Sequence, residues 1–230
     1  MYKMEDLKIR RRSWVKAANI NPNRIGWLLE DCSSVSKDDL DGIRVWLNHL
    51  KNGQIIRSIG NPRSGKGLIF YGEPGHGKTT LALAVIQEVM TTFMPDQLDV
   101  KPEHTLVRPC YFITFNDLMS LTNRVIHNDA SDEDVILYQG ILGNYESDSQ
   151  NVRVLIVDDL GKEHKTASGW NSSVFHQVLR TRFNNGLPTI ITTNVGLENW
   201  AGEYGDATKS LAHEAFMYMP IKTADLRVKK

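Results

Sequence analysis

Cysteine is nearly missing. Cys32 and Cys110 stand far apart, with no CxxC partner and no ligand cluster beside them, which argues against a disulfide framework or a zinc site and leaves buried or incidental thiols. Long apolar runs are missing as well. None approaches the roughly 20 residues that cross a bilayer, and the opening Met1-Tyr2-Lys3-Met4-Glu5-Asp6 lacks the apolar centre of a secretory signal. The expectation is a soluble, cytoplasmic chain without membrane association. Internal repeats and low-complexity tracts are absent, which sets aside repeat architectures. Net charge is zero, against a protein that is basic all over. What remains, 230 residues with 41% apolar and 23% charged positions, suits one globular domain with a small appendage.

The charge is unevenly placed. The first 24 residues hold seven basic side chains (Lys3, Lys8, Arg10, Arg11, Arg12, Lys16, Arg24) against Glu5 and Asp6. Such an arm, with Arg10, Arg11 and Arg12 at its centre and Trp14 beside them, suits an acidic partner surface or a phosphate backbone, or else a solvated helix face. The segment 1–60 is polar and helix-compatible, with Leu40, Ile43, Trp46, Leu47 and Leu50 at helical spacing as a packing stripe. Gly60-Asn61-Pro62-Arg63-Ser64-Gly65 reads as a turn-rich connector, and a second unit, 61–230, starts there.

In that unit, apolar runs at 68–71, 111–114, 154–157 and 189–193 read as buried strands, and 78–94, 116–126 and 172–184 as helices between them. Such alternation implies βαβ crossovers and a mainly parallel α/β sheet covered on both faces. Ligands in such sheets collect at the carboxyl ends of the strands. The acidic stretch 127–150 reads as a surface helix and loop.

Gly72-Glu73-Pro74-Gly75-His76-Gly77-Lys78-Thr79 matches G-x-x-x-x-G-K-[ST], after an apolar strand and before a helix. Its glycines let backbone N–H groups converge on phosphates, and the helix start that Thr80 continues adds partial positive charge. Lys78 is expected on the β- and γ-phosphates of ATP, and Thr79 on Mg2+. Glu73 must point away, because an acid beside phosphates is unfavourable. Val154-Leu155-Ile156-Val157-Asp158-Asp159 supplies the hard oxygen ligands: Asp158 to hold the metal through its water shell, Asp159 to orient or deprotonate the attacking water. Asn194, ending the run 187–194, suits a hydrogen bond to that water or to the γ-phosphate; an asparagine there also suits a helix cap, and its place in the strand series favours the sensor role.

The stretch Leu155-Ile156-Val157-Asp158-Asp159-Leu160-Gly161-Lys162-Glu163, then Ser168-Gly169-Trp170, Val178-Leu179-Arg180-Thr181-Arg182-Phe183 and the Thr192-Thr193-Asn194 strand end resemble the AAA+ ATPases of the DnaC/DnaI/IstB group, phage-encoded loaders in particular. The resemblance covers 65–227, with a weaker echo in 20–27. It implies a P-loop NTPase of the AAA+/ASCE type, a three-layer sandwich with five mainly parallel strands and little or no lid. It also implies ATP-dependent homo-oligomerisation and the handling of single-stranded DNA with a hexameric replicative helicase, in a bacterial or phage-infected cell. The family brings an arginine from a neighbouring subunit to the γ-phosphate. The matching stretch here, Thr208-Lys209-Ser210-Leu211, has none, which leaves Lys209, Arg180 or Arg182 as stand-ins, although an ammonium does not reproduce the guanidinium fork. Arg227 falls at the family's second sensor position. Arg124 is a candidate DNA contact. The segment before the core is shorter than the helicase-binding domain that bacterial loaders carry.

These features support an ATP-dependent helicase loader. The alternatives are an IstB-like regulator of transposition, an ATP-held switch with little hydrolysis, and a small-acceptor kinase, for which no arginine-rich lid is placed.

Overall fold

The computed structural model describes residues 4–56, 65–98, 105–161 and 170–223. Five strands, β1 (Gly67–Tyr71), β2 (Cys110–Thr114), β3 (Val154–Leu160), β4 (Thr189–Thr193) and β5 (Phe216–Pro220), form one sheet in the order β2-β3-β4-β1-β5. Every pairing is parallel. Strand alternation sorts the aliphatics onto two faces. Leu68, Phe70, Val154, Ile156 and Ile190 enter one core layer, and Ile69, Leu155, Val157 and Ile191 the other. Both layers are apolar, so the strands read as unbroken hydrophobic runs, and both must be roofed by helices.

One roof is α3 (Lys78–Thr92), with α1 (Met4–Ala17) and α2 (Lys37–Lys51) outside it. Nine residues of α3 between Leu81 and Met90 are buried, on every side of the helix. A helix apolar all round needs cover on its outer face too. The segment before β1 provides that cover. Trp14 is 1% exposed and donates its indole N–H to Leu106 O at 2.9 Å, while Arg11 reaches Phe93 O just beyond α3 at 3.1 Å. Ile43, Trp46, Leu47 and Leu50 of α2 are buried in the same layer, with Leu40 packed beside them. The described part of 1–60 is therefore built into this layer, where the sequence suggested an arm ahead of a separate unit. Both cysteines are buried free thiols.

The other roof comprises α4 (Phe115–Ile126), α5 (Asp132–Leu142), α6 (Trp170–Asn184), α7 (Trp200–Tyr204) and α8 (Asp206–Ala215). Thr114 and Ser131 cap α4 and α5 through their hydroxyls, and three acids in the first turn of α5 complement its dipole. The acidic stretch is less superficial than its composition suggested, since Ile141 is fully buried. Among the described residues no helix is long and apolar enough to cross a membrane, and no cluster of His, Cys, Asp and Glu is arranged to hold a metal ion. The connector residues 60–64, Lys162, Glu163, Ser168, Gly169 and Arg227 lie outside the described residues.

Because the first helix and the sheet share one core, Trp14→Ala is expected to destabilise the whole chain by about 3–5 kcal/mol. Urea unfolding followed by circular dichroism should give a single transition at lower midpoint; a separate early transition for the first helices would contradict the shared core.

Candidate active site

The sheet's carboxyl end gathers the sequence motifs. Between β1 and α3 the chain loops through Gly72–Thr79. Gly75 and Gly77 take φ of +91° and +77°, a left-handed backbone that glycine adopts without strain. At Gly72 a Cβ would lie 2.5 Å from Ile221 O, so the loop's entry lies hard against the chain leaving β5. Gly72 N also donates to Thr193 O at 3.2 Å, which fixes the loop to the end of β4. Pro74 and Glu73 are exposed, and Glu73 thus avoids burying an acid beside the cradle. Lys78 is buried, and its ammonium donates to Gly72 O at 2.8 Å and Glu73 O at 2.9 Å. His76 Nδ1 is buried without a hydrogen-bond partner among the described residues, and Thr80 is half-buried in the first turn of α3.

β3 carries the carboxylates. Asp158 is 4% exposed and accepts two hydroxyl hydrogen bonds on Oδ1, from Thr79 at 2.8 Å and from Thr192 at 2.5 Å. Burial raises its pKa, offset by those two hydroxyls; the neighbouring Asp159 raises it further and the charge of Arg24 lowers it. The Thr79 proton is committed to Asp158, so the oxygen's lone pairs are what it can offer a cation. Asp159 stands at φ +61°, rare for a residue with a side chain, within a register shift of the β3–β4 ladder between Val157 and Leu160. Its N–H donates to Thr192 Oγ1 at 3.0 Å. The bulge breaks the alternation that would send two successive acids to opposite faces of the sheet. Thr192 thus serves both aspartates, a role the sequence reading missed; its signal was a hydroxyl one strand position from the carboxyl end of a buried strand. Asn194 follows β4 directly, beside the strand that feeds the loop, and is half-buried. It is not a cap: the next turn starts from Gly196 with no side-chain cap bond.

The other basic candidates are scattered. Arg182 is a correction, because its guanidinium is fully buried and cannot reach a neighbouring molecule's nucleotide. It donates to Thr189 Oγ1 and Pro188 O at 2.9 Å, to Val152 O and Arg153 O at 3.3 Å, and to Ile141 O. Burial, with the charge of Arg153 nearby, lowers its pKa to about 9. It knits α5, α6 and the starts of β3 and β4 together. Arg180 pairs with Glu214 at 3.2 Å, both side chains exposed, and Lys209 donates to Glu198 O at 3.2 Å. Arg124 is held by both oxygens of Asp134 at 3.0 Å, which competes with any DNA contact. Of the arm, Arg10 is half-buried, Arg11 bonds Phe93 and Arg12 is exposed.

A glycine cradle with a buried lysine, an orphaned imidazole nitrogen at its rim and a hydroxyl–carboxylate pair formed with β3 across β4 fits a nucleotide polyphosphate with Mg2+. Fold and site together define a P-loop nucleotide-binding protein of the parallel α/β class. The model of the ATPase family associated with various cellular activities (AAA) matches residues 68–195, more than half of the chain, and the chain belongs to that family. The solved structure of the DnaC helicase loader is similar at 25% identity and a TM-score of 0.60, over 88% of this chain and 100% of that one. That of DnaI gives 20% identity and 0.58 over 91% and 95%, and a putative primosome component from Streptococcus pyogenes serotype M3 gives 17% and 0.57 over 93% and 97%; these two likenesses concern the fold. No curated protein matches the chain.

Replacing the shared hydroxyl leaves a buried carboxylate and an N–H short of a partner. Thr192→Val is expected to cost about 1–3 kcal/mol of stability in urea denaturation, while Thr192→Ser stays close to wild type.

Proposed function

We propose that this chain is an ATP-dependent loader of a replicative hexameric DNA helicase onto single-stranded DNA, assembling as a homo-oligomer when ATP is bound and released on hydrolysis. The likeness to the DnaC helicase loader, which extends over the whole of that chain, carries the reading. The site supports an ATPase. Lys78 would leave its two carbonyls for the β- and γ-phosphate oxygens, and the loop N–H groups and the start of α3 would hold the rest of the chain of phosphates. Thr79 and Asp158 would hold Mg2+, which when bound neutralises phosphate charge and fixes the phosphate oxygens for in-line attack. Asp159, next to Asp158 on the bulge of β3, takes the proton of the attacking water. Asn194 orients that water, or senses the γ-phosphate, from the end of β4.

A second reading, a switch that holds ATP with little hydrolysis, is favoured by the state of the trans candidates: Arg182 is sealed in the core and Arg180 is ion-paired. Among the described residues, Lys209, and Arg180 if it leaves Glu214, are the candidates at the surface that could act across a subunit contact.

Phosphate release from ATP should rise when single-stranded DNA is added and stop when EDTA removes Mg2+. Lys78→Ala and Asp159→Asn should each lower turnover by about a hundredfold or more, with Asp159→Asn still binding ATP. Tight binding without turnover in the wild type selects the switch. Absence of nucleotide-dependent association with a replicative helicase from the same host rejects the loader.

A further inference from the structure

We propose that the outward face of α1, carried by Lys8, Arg12 and Lys16, seats the phosphate backbone of single-stranded DNA. The inference rests on the loader reading and deepens it, by giving the single strand a place on this chain.

The arm's basic residues part company once the helix is docked. Leu7 and Trp14, seven residues apart, mark the buried side of α1. Arg11 lies near that side and donates to Phe93 O at 3.1 Å, and Arg10 is half-buried. Lys8, Arg12 and Lys16 follow one another at i, i+4 and i+8, so they form a single row away from the core, and all three are exposed. None of the three makes an ion pair or a side-chain hydrogen bond among the described residues, whereas Arg44, Arg124, Arg153 and Arg180 each sit on a carboxylate. Glu5 shares the face one turn ahead of Lys8, where it complements the start of the helix dipole.

Spacing and charge select the occupant. A step of four residues carries a side chain about 6 Å along a helix, close to the separation of neighbouring phosphates in a nucleic-acid strand. The row therefore offers one cation per phosphate over three nucleotides, a contact that positions a strand without reading its bases. Seven basic side chains stand against two acidic ones up to residue 24, and 20 against 25 after it, so the field that draws a polyanion belongs to this segment. The seat is also rigid. Trp14 donates to Leu106 O, and Phe112 N on β2 donates to Ala18 O just past the helix, so the cations stand on a support that is ordered before DNA arrives.

Fluorescence anisotropy of the intact chain with a labelled oligothymidylate, followed from about 50 to 200 mM salt, tests this. The triple variant Lys8→Ala, Arg12→Ala, Lys16→Ala is expected to bind at least about tenfold more weakly, with a salt slope shallower by about two. Removing three exposed cations elsewhere, through Lys37→Ala, Lys66→Ala and Lys222→Ala, should change binding less than about twofold. Arg12→Glu alone should weaken binding too, and Lys8→Arg with Lys16→Arg should hold it at the wild-type level. Because the row is exposed, the urea midpoint of its triple variant should match wild type. Unchanged binding in that variant, equal losses in both triple variants, or a loss of helicase association that spares DNA binding overturns the inference and leaves the loader reading standing. A wild type that binds no single-stranded DNA removes both.

Discussion

A carboxylate taken out of water at the end of a central strand is the constraint on which the site depends. Asp158 loses most of its hydration, and an uncompensated charge there would be expensive enough to protonate or to expel. Two threonine hydroxyls compensate it, one from the helix that follows the phosphate loop and one from the adjacent strand. The same two bonds place α3, β3 and β4 relative to one another at the point where the chemistry belongs. Thr192 has a second duty, because it accepts the Asp159 N–H and so supports the left-handed residue that gives the second acid its own direction. Strain of this kind persists only where the surroundings over-determine it, and a bulge held by a hydroxyl that also serves a buried charge meets that condition.

The phosphate loop is only as steady as the helix it opens, and α3 is clasped from both sides. The sheet holds its inner face, and α1, α2 and the turns between them hold its outer face. The chain ahead of β1 is therefore part of the site's foundation. Gln87 sits in this interface as a buried polar group that holds the main chain of the covering segment, 61 and 63 positions upstream, against α3.

What was legible in the sequence was local. Strand runs, the loop with its flanking strand and helix, the aspartates after four aliphatics and the helical stripe of α2 all follow from spacing and residue type, and all reappear. The fifth strand and the three-layer arrangement came from the resemblance, and the sheet has that form. What spacing could not reveal was where polar residues go when distant segments meet. Arg182, in the last turn of a helix, reads as a surface cation; only the convergence of α5, β3 and β4 around it supplies the carbonyls that let it be buried. Thr192 looked like one of several hydroxyls at a strand end, because the bulge that brings Asp159 N to it is invisible in composition. The basic arm kept its count of charges but not its freedom, since Trp14 and Arg11 bind it down.

The sheet has two outermost strands, and one of them is not left open. Phe112 N on β2 donates to Ala18 O, and the Asn19 side chain, on a residue at φ +59°, donates back to Phe112 O. Two residues of the linker after α1 thus occupy hydrogen-bonding positions that another strand could otherwise use. A version of this chain trimmed to its family-matching portion would bare that edge together with the apolar flank of α3. Such a fragment would be prone to strand-to-strand self-association and poor solubility, so any assembly seen with it would report the exposed edge and not the native contact between copies.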